Sequence, residues 1–233
     1  MPRDVGVVLV AAGEGRRLGH ETPKQFLPIA GVPMLHRALR PFTSHPDVRQ
    51  VVVVLPASQA SAPPGWLAAL AGDQLRIVAG GAQRMDSVEQ GIRALGAECM
   101  LVLVHDAARP LLRREIVAAV IDQARKGTGA IAAVPLSDTL KESGPVSGMP
   151  QIRRTIPRDG LWRAQTPQGF PRPMLERAFA AARKDGATGT DEAALVERIG
   201  EPVVLVPDSG WNIKVTTPED LDLAELIAAR QQP

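Results

Sequence analysis

The 233-residue chain has one cysteine, no tyrosine and only 3% aromatic residues. A lone cysteine excludes a disulfide framework and any structural zinc site built on Cys ligands. Cys99 lies in the apolar run Cys99-Met100-Leu101-Val102-Leu103-Val104, where a buried, inert thiol is the expectation and a nucleophile the alternative. With so few aromatic rings, stacking platforms for single-stranded nucleic acid are scarce. Net charge is small as well: 27 basic residues nearly balance 25 acidic ones, leaving +2. That argues against the broad basic stripe of a DNA-coating protein. Lysine is scarce, with five against 22 arginines. No apolar stretch approaches the roughly 20 residues that span a bilayer, and no secretory leader pattern precedes Val5. The expectation is a soluble, cytoplasmic protein that binds neither nucleic acid nor membrane.

What is present is a long apolar inventory, 45% of the residues, enough for a sizeable core. The runs Val5–Val10, Val51–Leu55, Leu75–Val78, Leu101–Val104 and Ala130–Val134 are continuously apolar, as in parallel strands covered on both faces. Helical patterns fall between them at Pro33–Thr43, Ser61–Ala71, Arg84–Ala94 and Arg113–Lys126. The alternation predicts an α/β fold with a doubly wound, mostly parallel, Rossmann-like sheet, whose ligands sit beyond the carboxyl ends of the strands. After Val134 the pattern breaks. Thr139–Lys141 and Gln151–Thr155 read as extended segments around a Gly/Pro/Ser turn. Residues 137–158 are therefore either a disordered loop or a projecting β-arm that needs a partner surface. Helices resume from Pro171 to Gly186, over Asp191–Ile199, and after the Thr217-Pro218-Glu219-Asp220 start signal. The organisation is one domain over 1–233 with the arm inside it.

The most informative segment is Ala11-Ala12-Gly13-Glu14-Gly15-Arg16-Arg17-Leu18-Gly19, followed by Pro23-Lys24-Gln25. Glycines after a first strand let backbone N–H groups approach phosphates, and three cations beside them suggest a nucleoside triphosphate. The competing reading is a tight turn carrying solvated arginines. A dinucleotide fingerprint fails on spacing: the third glycine falls one place late, and no acid follows the second strand in Leu55-Pro56-Ala57-Ser58. A Walker A loop fails because Gly-Lys-[Ser/Thr] does not occur.

The loop resembles that of the nucleotidylyltransferases, and the resemblance runs on through the chain. Gly80-Gly81-Ala82-Gln83-Arg84-Met85-Asp86-Ser87-Val88, Val104-His105-Asp106-Ala107-Ala108-Arg109-Pro110 and Asp138-Thr139-Leu140-Lys141 follow in order. Gln165-Thr166-Pro167-Gln168, Thr190-Asp191-Glu192 and Asn212-Ile213-Lys214-Val215-Thr216 complete the set. Together they look like the 2-C-methyl-D-erythritol 4-phosphate cytidylyltransferase family, the CTP-using transferases of non-mevalonate isoprenoid synthesis. The resemblance implies transfer of CMP from CTP to the polyol phosphate with release of pyrophosphate. No protein nucleophile is needed, so positioning and charge stabilisation must carry catalysis.

By this resemblance Arg17 and Lys24 are the transition-state cations, and Gly13, Gly15 and Arg16 hold the triphosphate. Ala11, Ala12, Gly80, Gly81 and Ser87 surround cytosine, although Ser87 also reads as a helix N-cap. The position after the glycine pair, often acidic in the family, is Ala82 here, so a side-chain contact from it is not expected. Asp106 and Lys214 serve both substrates; Arg109, Thr139, Arg158, Thr166 and Thr190 contact the polyol phosphate, with an N-cap role as the alternative for Thr190. His105 reads as structural rather than as a general base. The implied metal is Mg²⁺ held mainly by CTP phosphates; His20, His36, His45 and His105 lack metal-ligand spacing, and no residue is assigned as a ligand. The arm is expected to cross into a homodimer partner, where Arg158 clamps phosphate in trans. A ribitol 5-phosphate cytidylyltransferase and a non-catalytic nucleotide or NAD-binding module are the competing functions. The second leaves Lys24 and Lys214 without a role.

Overall fold

The computed structural model describes residues 2–13, 22–144 and 148–230. From the N-terminus the elements are β1 (Val5–Val10), a 3₁₀ turn (Lys24–Phe26), the tight pair β2 (Pro28–Ile29) and β3 (Val32–Pro33), α1 (Met34–Thr43) and β4 (Val48–Leu55). The short helices α2 (Ala57–Ser61) and α3 (Gly65–Ala68) lead to β5 (Leu75–Ala79), α4 (Arg84–Ala94), β6 (Leu101–Asp106), α5 (Arg114–Ala124) and β7 (Gly129–Pro135). A hairpin of β8 (Leu140–Ser143) and β9 (Ile152–Ile156) precedes β10 (Trp162–Pro171), α6 (Arg172–Lys184), α7 (Glu192–Arg198), β11 (Val203–Pro207) and α8 (Pro218–Arg230).

Seven strands join in the order β11-β7-β10-β6-β1-β4-β5. β10 alone runs antiparallel to its neighbours; the other pairs are parallel. The apolar runs split between two faces, as the period of two along a strand requires. Val7 and Leu9 of β1 face α1 and α5, packing with Leu35, Leu39, Phe42, Val117 and Ile121. Val8 faces the opposite layer, built from Val88 and Ile92 of α4, Leu175 and Phe179 of α6 and Val196 of α7. Helices therefore cover both faces, the doubly wound arrangement the sequence pattern predicts. Each fully buried Val or Leu contributes about 1.5–3 kcal/mol by leaving water.

Three departures from the sequence pattern have local causes. The expected helix over Ser61–Ala71 is two short helices, because Pro63 and Pro64 withdraw two N–H donors and push the residue before each out of helical geometry. β10 escapes the pattern because its sequence, Trp-Arg-Ala-Gln-Thr-Pro-Gln-Gly-Phe-Pro, is polar and twice interrupted by proline. Its pairing with β7 shifts register between Ala164 and Gln168, and the buried Gln165, Thr166 and Gln168 bond through the Gln165 Nε2, the Thr166 hydroxyl and both ends of the Gln168 amide instead of burying apolar surface. β11 is an edge strand, with Leu205 exposed, which removes the inward-facing signal. Lys214 lies in irregular chain between β11 and α8.

The β8–β9 hairpin pairs Leu140 with Ile156, Lys141 with Thr155 and Glu142 with Arg154. It is pinned by surface polar contacts: Arg154 Nε donates to Glu142 Oε2 at 2.7 Å and Lys141 Nζ to Thr155 Oγ1 at 2.7 Å. Met149 and Ile152 beside it are 87% and 67% exposed. At the far end of the chain Asp220 accepts the N–H groups of Thr216 and Thr217, at 2.8 and 2.9 Å, and returns its own N–H to Thr217 Oγ1. The α8 start signal thus works as a reciprocal cap. α8 packs Ala224, Ile227 and Ala228 against Val215 and Ile29, fixing the segment that carries Lys214.

Candidate active site

The carboxyl ends of β1, β4, β5 and β6 are stitched into one rim by backbone bonds. Ala11 N–H donates to Val54 O at 2.8 Å, Gly80 N–H to Leu55 O at 2.8 Å, and Ala107 N–H to Val10 O at 2.9 Å. Above the rim opens a cavity of about 870 Å³, which Ala11, Ala12, Gly13, Lys24, Gly80, Gly81, Ser87, Asp106 and Lys214 help line. This is where a parallel sheet places its ligands. Gly15, Arg16 and Arg17 lie outside the described residues.

The β5–α4 turn approaches β1 so closely that only glycine fits. A Cβ on Gly80 would fall 2.8 Å from Ala12 Cβ and 2.6 Å from Ser87 Oγ, and one on Gly81 would fall 2.3 Å from Asp86 Cβ. Ser87 does not cap α4. It sits inside the helix, donates to Gln83 O at 3.1 Å and accepts Gly81 N–H at 3.2 Å. The cap is Gln83, whose N–H is held by Asp86 Oδ2 at 2.9 Å. Ser87 therefore braces the glycine turn, and together they make a small, polar wall.

Lys24 stands on the 3₁₀ turn. That turn is docked by buried Gln25, which donates to Gln59 of α2, and by Phe26 packed edge-on to Trp66 at 6.4 Å. Asp106 lines the same cavity, buried at the end of β6 with both carboxylate oxygens paired to cations. Lys214 Nζ lies 2.6 Å from Oδ2; Arg84 Nη2 lies 3.1 Å from Oδ1, with its Nε at 3.3 Å. Burial opposes ionisation of Asp106, but Arg84 and Lys214 overcome it and hold the carboxyl well below the usual carboxylate range. Arg84 reaches on to Glu192, Nη1 to Oε1 at 2.7 Å and Nη2 to Oε2 at 3.1 Å. Burial works against the guanidinium charge, and Glu192 and Asp106 more than offset it, so Arg84 is held cationic. Burial pushes the Glu192 carboxyl up, with Arg84 opposing.

Behind Asp106 runs a hydrogen-bond chain whose directions are fixed by chemistry. His105 Nε2 meets the carbonyl of Arg109 at 3.1 Å, and a carbonyl only accepts, so Nε2 carries the proton. Nδ1 then accepts the Thr166 hydroxyl at 2.8 Å, whose oxygen accepts Asp106 N–H at 3.1 Å. Burial lowers the His105 pKa to about 4, so the ring stays neutral and holds β6 against β10. Thr166 is buried and its hydroxyl proton belongs to His105. Arg109 gives Nη1 to Asn212 O at 2.7 Å and Nη2 to Ala164 O at 3.4 Å, bracing the segment before Lys214. Val215 N–H closes that brace on Ala108 O at 2.8 Å.

Thr190 is exposed next to the N-cap of α7. The cap itself is Asp191, which accepts Ala194 N–H at 3.0 Å and Gln168 Nε2 at 2.9 Å. Thr139 and Arg158 are exposed at the foot of the hairpin, Arg158 donating to Ser137 O. The chain thus gathers Ala11, Ala12, Gly13, Lys24, Gly81, Ser87, Asp106 and Lys214 at one cavity, and leaves Thr139 and Arg158 on the hairpin. Arg84 and Glu192 were not singled out by sequence reasoning, although a signal existed. Arg84 is the first residue of α4, where the helix dipole disfavours a cation, so its presence there calls for carboxylate partners. Among the described residues no group of three or more His, Cys, Asp or Glu could hold a metal ion, and no helix is long and apolar enough to cross a membrane.

Residues 5–230 match the profile of the 2-C-methyl-D-erythritol 4-phosphate cytidylyltransferase family. A relative of that name from Solibacter usitatus is 41% identical over 235 residues, spanning 96% of this chain and 95% of the relative. Another from Symbiobacterium thermophilum is 43% identical, spanning 96% and 92%. The crystal structure of 2-C-methyl-D-erythritol 4-phosphate cytidylyltransferase from Thermus thermophilus superposes with a TM-score of 0.80 at 36% identity, covering 97% of this chain and 99% of that one.

Proposed function

We propose a mechanism from one premise: the chain belongs to the 2-C-methyl-D-erythritol 4-phosphate cytidylyltransferase family. It transfers CMP from CTP to 2-C-methyl-D-erythritol 4-phosphate, giving the cytidine diphosphate alcohol and pyrophosphate. A phosphate oxygen of the polyol attacks the α-phosphorus of CTP; the new P–O bond forms as the bond to the β-phosphate oxygen breaks, and pyrophosphate leaves with that electron pair. The attacking monoester is already ionised at neutral pH, so no general base is needed. The residues have to place two anions in line and offset the charge that grows between them.

The observation that carries this assignment of roles is that Lys24 and the Asp106–Lys214 pair line one cavity at the strand ends. Cytosine would lie against Ala11, Ala12, Gly81 and Ser87, where the absence of side-chain bulk at Gly80 and Gly81 sets the depth of the wall. Gly13, Gly15 and Arg16 would take the triphosphate, with Lys24 and Arg17 placed at the α-phosphoryl oxygens. Asp106 would accept ribose or polyol hydroxyls, and Lys214, steadied by Asp106, would reach phosphate. Arg109 and Thr166, both committed to the scaffold, would shape the polyol side, and Thr190 would face it from the turn before α7. Mg²⁺ would be carried chiefly by the triphosphate oxygens, with Asp106 the carboxylate that lines the cavity; when bound it would neutralise charge on the reacting phosphates. The polyol half would be completed by Thr139 and Arg158 from a second copy of the chain, in keeping with a hairpin that exposes Met149 and Ile152. A cytoplasmic location accords with one buried, unpaired cysteine.

The test is pyrophosphate release by the purified chain with CTP, Mg²⁺ and either polyol phosphate. Turnover with 2-C-methyl-D-erythritol 4-phosphate and little with ribitol 5-phosphate is the expected outcome. The reverse preference would overturn the substrate assignment.

A further inference from the structure

We propose that Arg84 is a positioning residue which, through Glu192, couples the nucleotide half of the site to the polyol-phosphate half. The inference rests on the assignment of Asp106 to the reacting cavity. Arg84 opens α4, the helix whose preceding turn forms the glycine wall. Glu192 opens α7, is only 1% exposed, and follows directly on Thr190 and the Asp191 cap. Between the two helices stands Asp106 at the end of β6. One guanidinium spans all three elements: Nε and Nη2 on Asp106, Nη1 and Nη2 on Glu192.

A planar fork can make this bridge and a point charge cannot, because a lysine ammonium has no second, oriented face to give to another carboxylate. α7 is tied to the sheet as well, since Gln168 of β10 donates to Asp191 and accepts Ala193 N–H at 3.0 Å. Glu192 is therefore an anchored carboxylate. The four groups Arg84, Lys214, Asp106 and Glu192 sum to zero formal charge, so the two buried carboxylates each have a cation. Removing Glu192 would leave Arg84 paired with Asp106 alone and release α4 from α7. Removing Arg84 would leave Glu192 buried without its cation and Asp106 free to turn fully toward Lys214.

Three substitutions test this in the full chain: Glu192→Gln, Arg84→Lys and Arg84→Gln, with Asp106→Asn as the control on the premise. KM for CTP and for the polyol phosphate is read separately beside kcat and the thermal unfolding midpoint. Losing a charge-assisted bond of this kind corresponds to roughly tenfold or more. Glu192→Gln should raise the polyol-phosphate KM about tenfold while the CTP KM stays within twofold. Arg84→Gln should raise both, Arg84→Lys should fail to restore the polyol-phosphate KM, and the Arg84→Gln/Glu192→Gln double variant should be no worse than Arg84→Gln alone. A Glu192→Gln enzyme with both KM values unchanged and only its unfolding midpoint lowered would overturn the coupling, as would double-variant effects that multiply. Wild-type kinetics in Asp106→Asn would remove the premise, and the coupling with it.

Discussion

The end of β6 and the β8–β9 hairpin are both read as substrate-binding, yet they are built by opposite means. Asp106 is buried, flanked by Arg84 and Lys214, and backed by the His105–Thr166 chain, so its geometry is set before any ligand arrives. Arg158 and Thr139 are exposed, and the hairpin that holds them is pinned by ion pairs such as Arg154–Glu142, with side chains 67% and 31% exposed. Pairs of that kind contribute little to stability, typically under 1 kcal/mol. The difference teaches where preorganisation resides. The end of β6 carries its scaffold within one chain, whereas the hairpin residues proposed to meet the polyol phosphate are held by exposed polar contacts beside the exposed Met149 and Ile152.

The comparison breaks most sharply at Lys24. Lys24→Ala should lower kcat about 100- to 1,000-fold, the cost of removing one preorganised charge from a transition state, with the unfolding midpoint little changed; Arg17→Ala should behave alike. A near-normal kcat in steady-state pyrophosphate release would end its catalytic assignment. His105 comes next. Its folded pKa of about 4 lies below its ordinary value of 6.5, so its stabilising contribution is complete above pH 6.5 and is lost as pH falls toward 4. By linkage the loss at pH 5 is about 2 kcal/mol. Chemical denaturation at pH 7 and pH 5 should show that difference shrinking in His105→Gln, and an unchanged pH slope would refute the neutral-histidine chain. The hairpin should give the smallest effect: Arg158→Ala raises the polyol-phosphate KM about tenfold, one charge-assisted contact, and leaves the CTP KM and folding unaltered. A matching rise in the CTP KM would erase the contrast between the two regions.

The sheet and most helices are legible in the sequence because buried parallel strands write continuous apolar runs, as Val5–Val10 and Leu101–Val104 do. β10 is not legible, since its core side chains are Gln165, Thr166 and Gln168, whose burial is repaid by hydrogen bonds that no periodicity records. The site divides the same way. The glycine-rich loop from Gly13 and the nearby Lys24 stand out in the sequence because glycines and cations after a first strand are what a phosphate site would use. Arg84 and Glu192 lie 108 positions apart, and only the fold brings the first residues of α4 and α7 together at the end of β6. Ser87 invites a cap reading from its place near a helix start, and Gln83 takes that role because the helix begins four residues earlier than a cap at Ser87 requires.

One measurement reaches the contrast directly: activity on mixing Lys24→Ala chains with Arg158→Ala chains after dissociation and reassociation, with heterodimers verified. If the hairpin serves the neighbouring chain, each heterodimer holds one site with both residues intact. Random reassociation makes half of the dimers heterodimers, so with polyol phosphate well below the wild-type KM, where the Arg158→Ala parent keeps about a tenth of activity, the heterodimers add about one quarter of wild-type activity. Heterodimers that form and show no more activity than the two parents would place Arg158 in its own subunit and contradict the shared site.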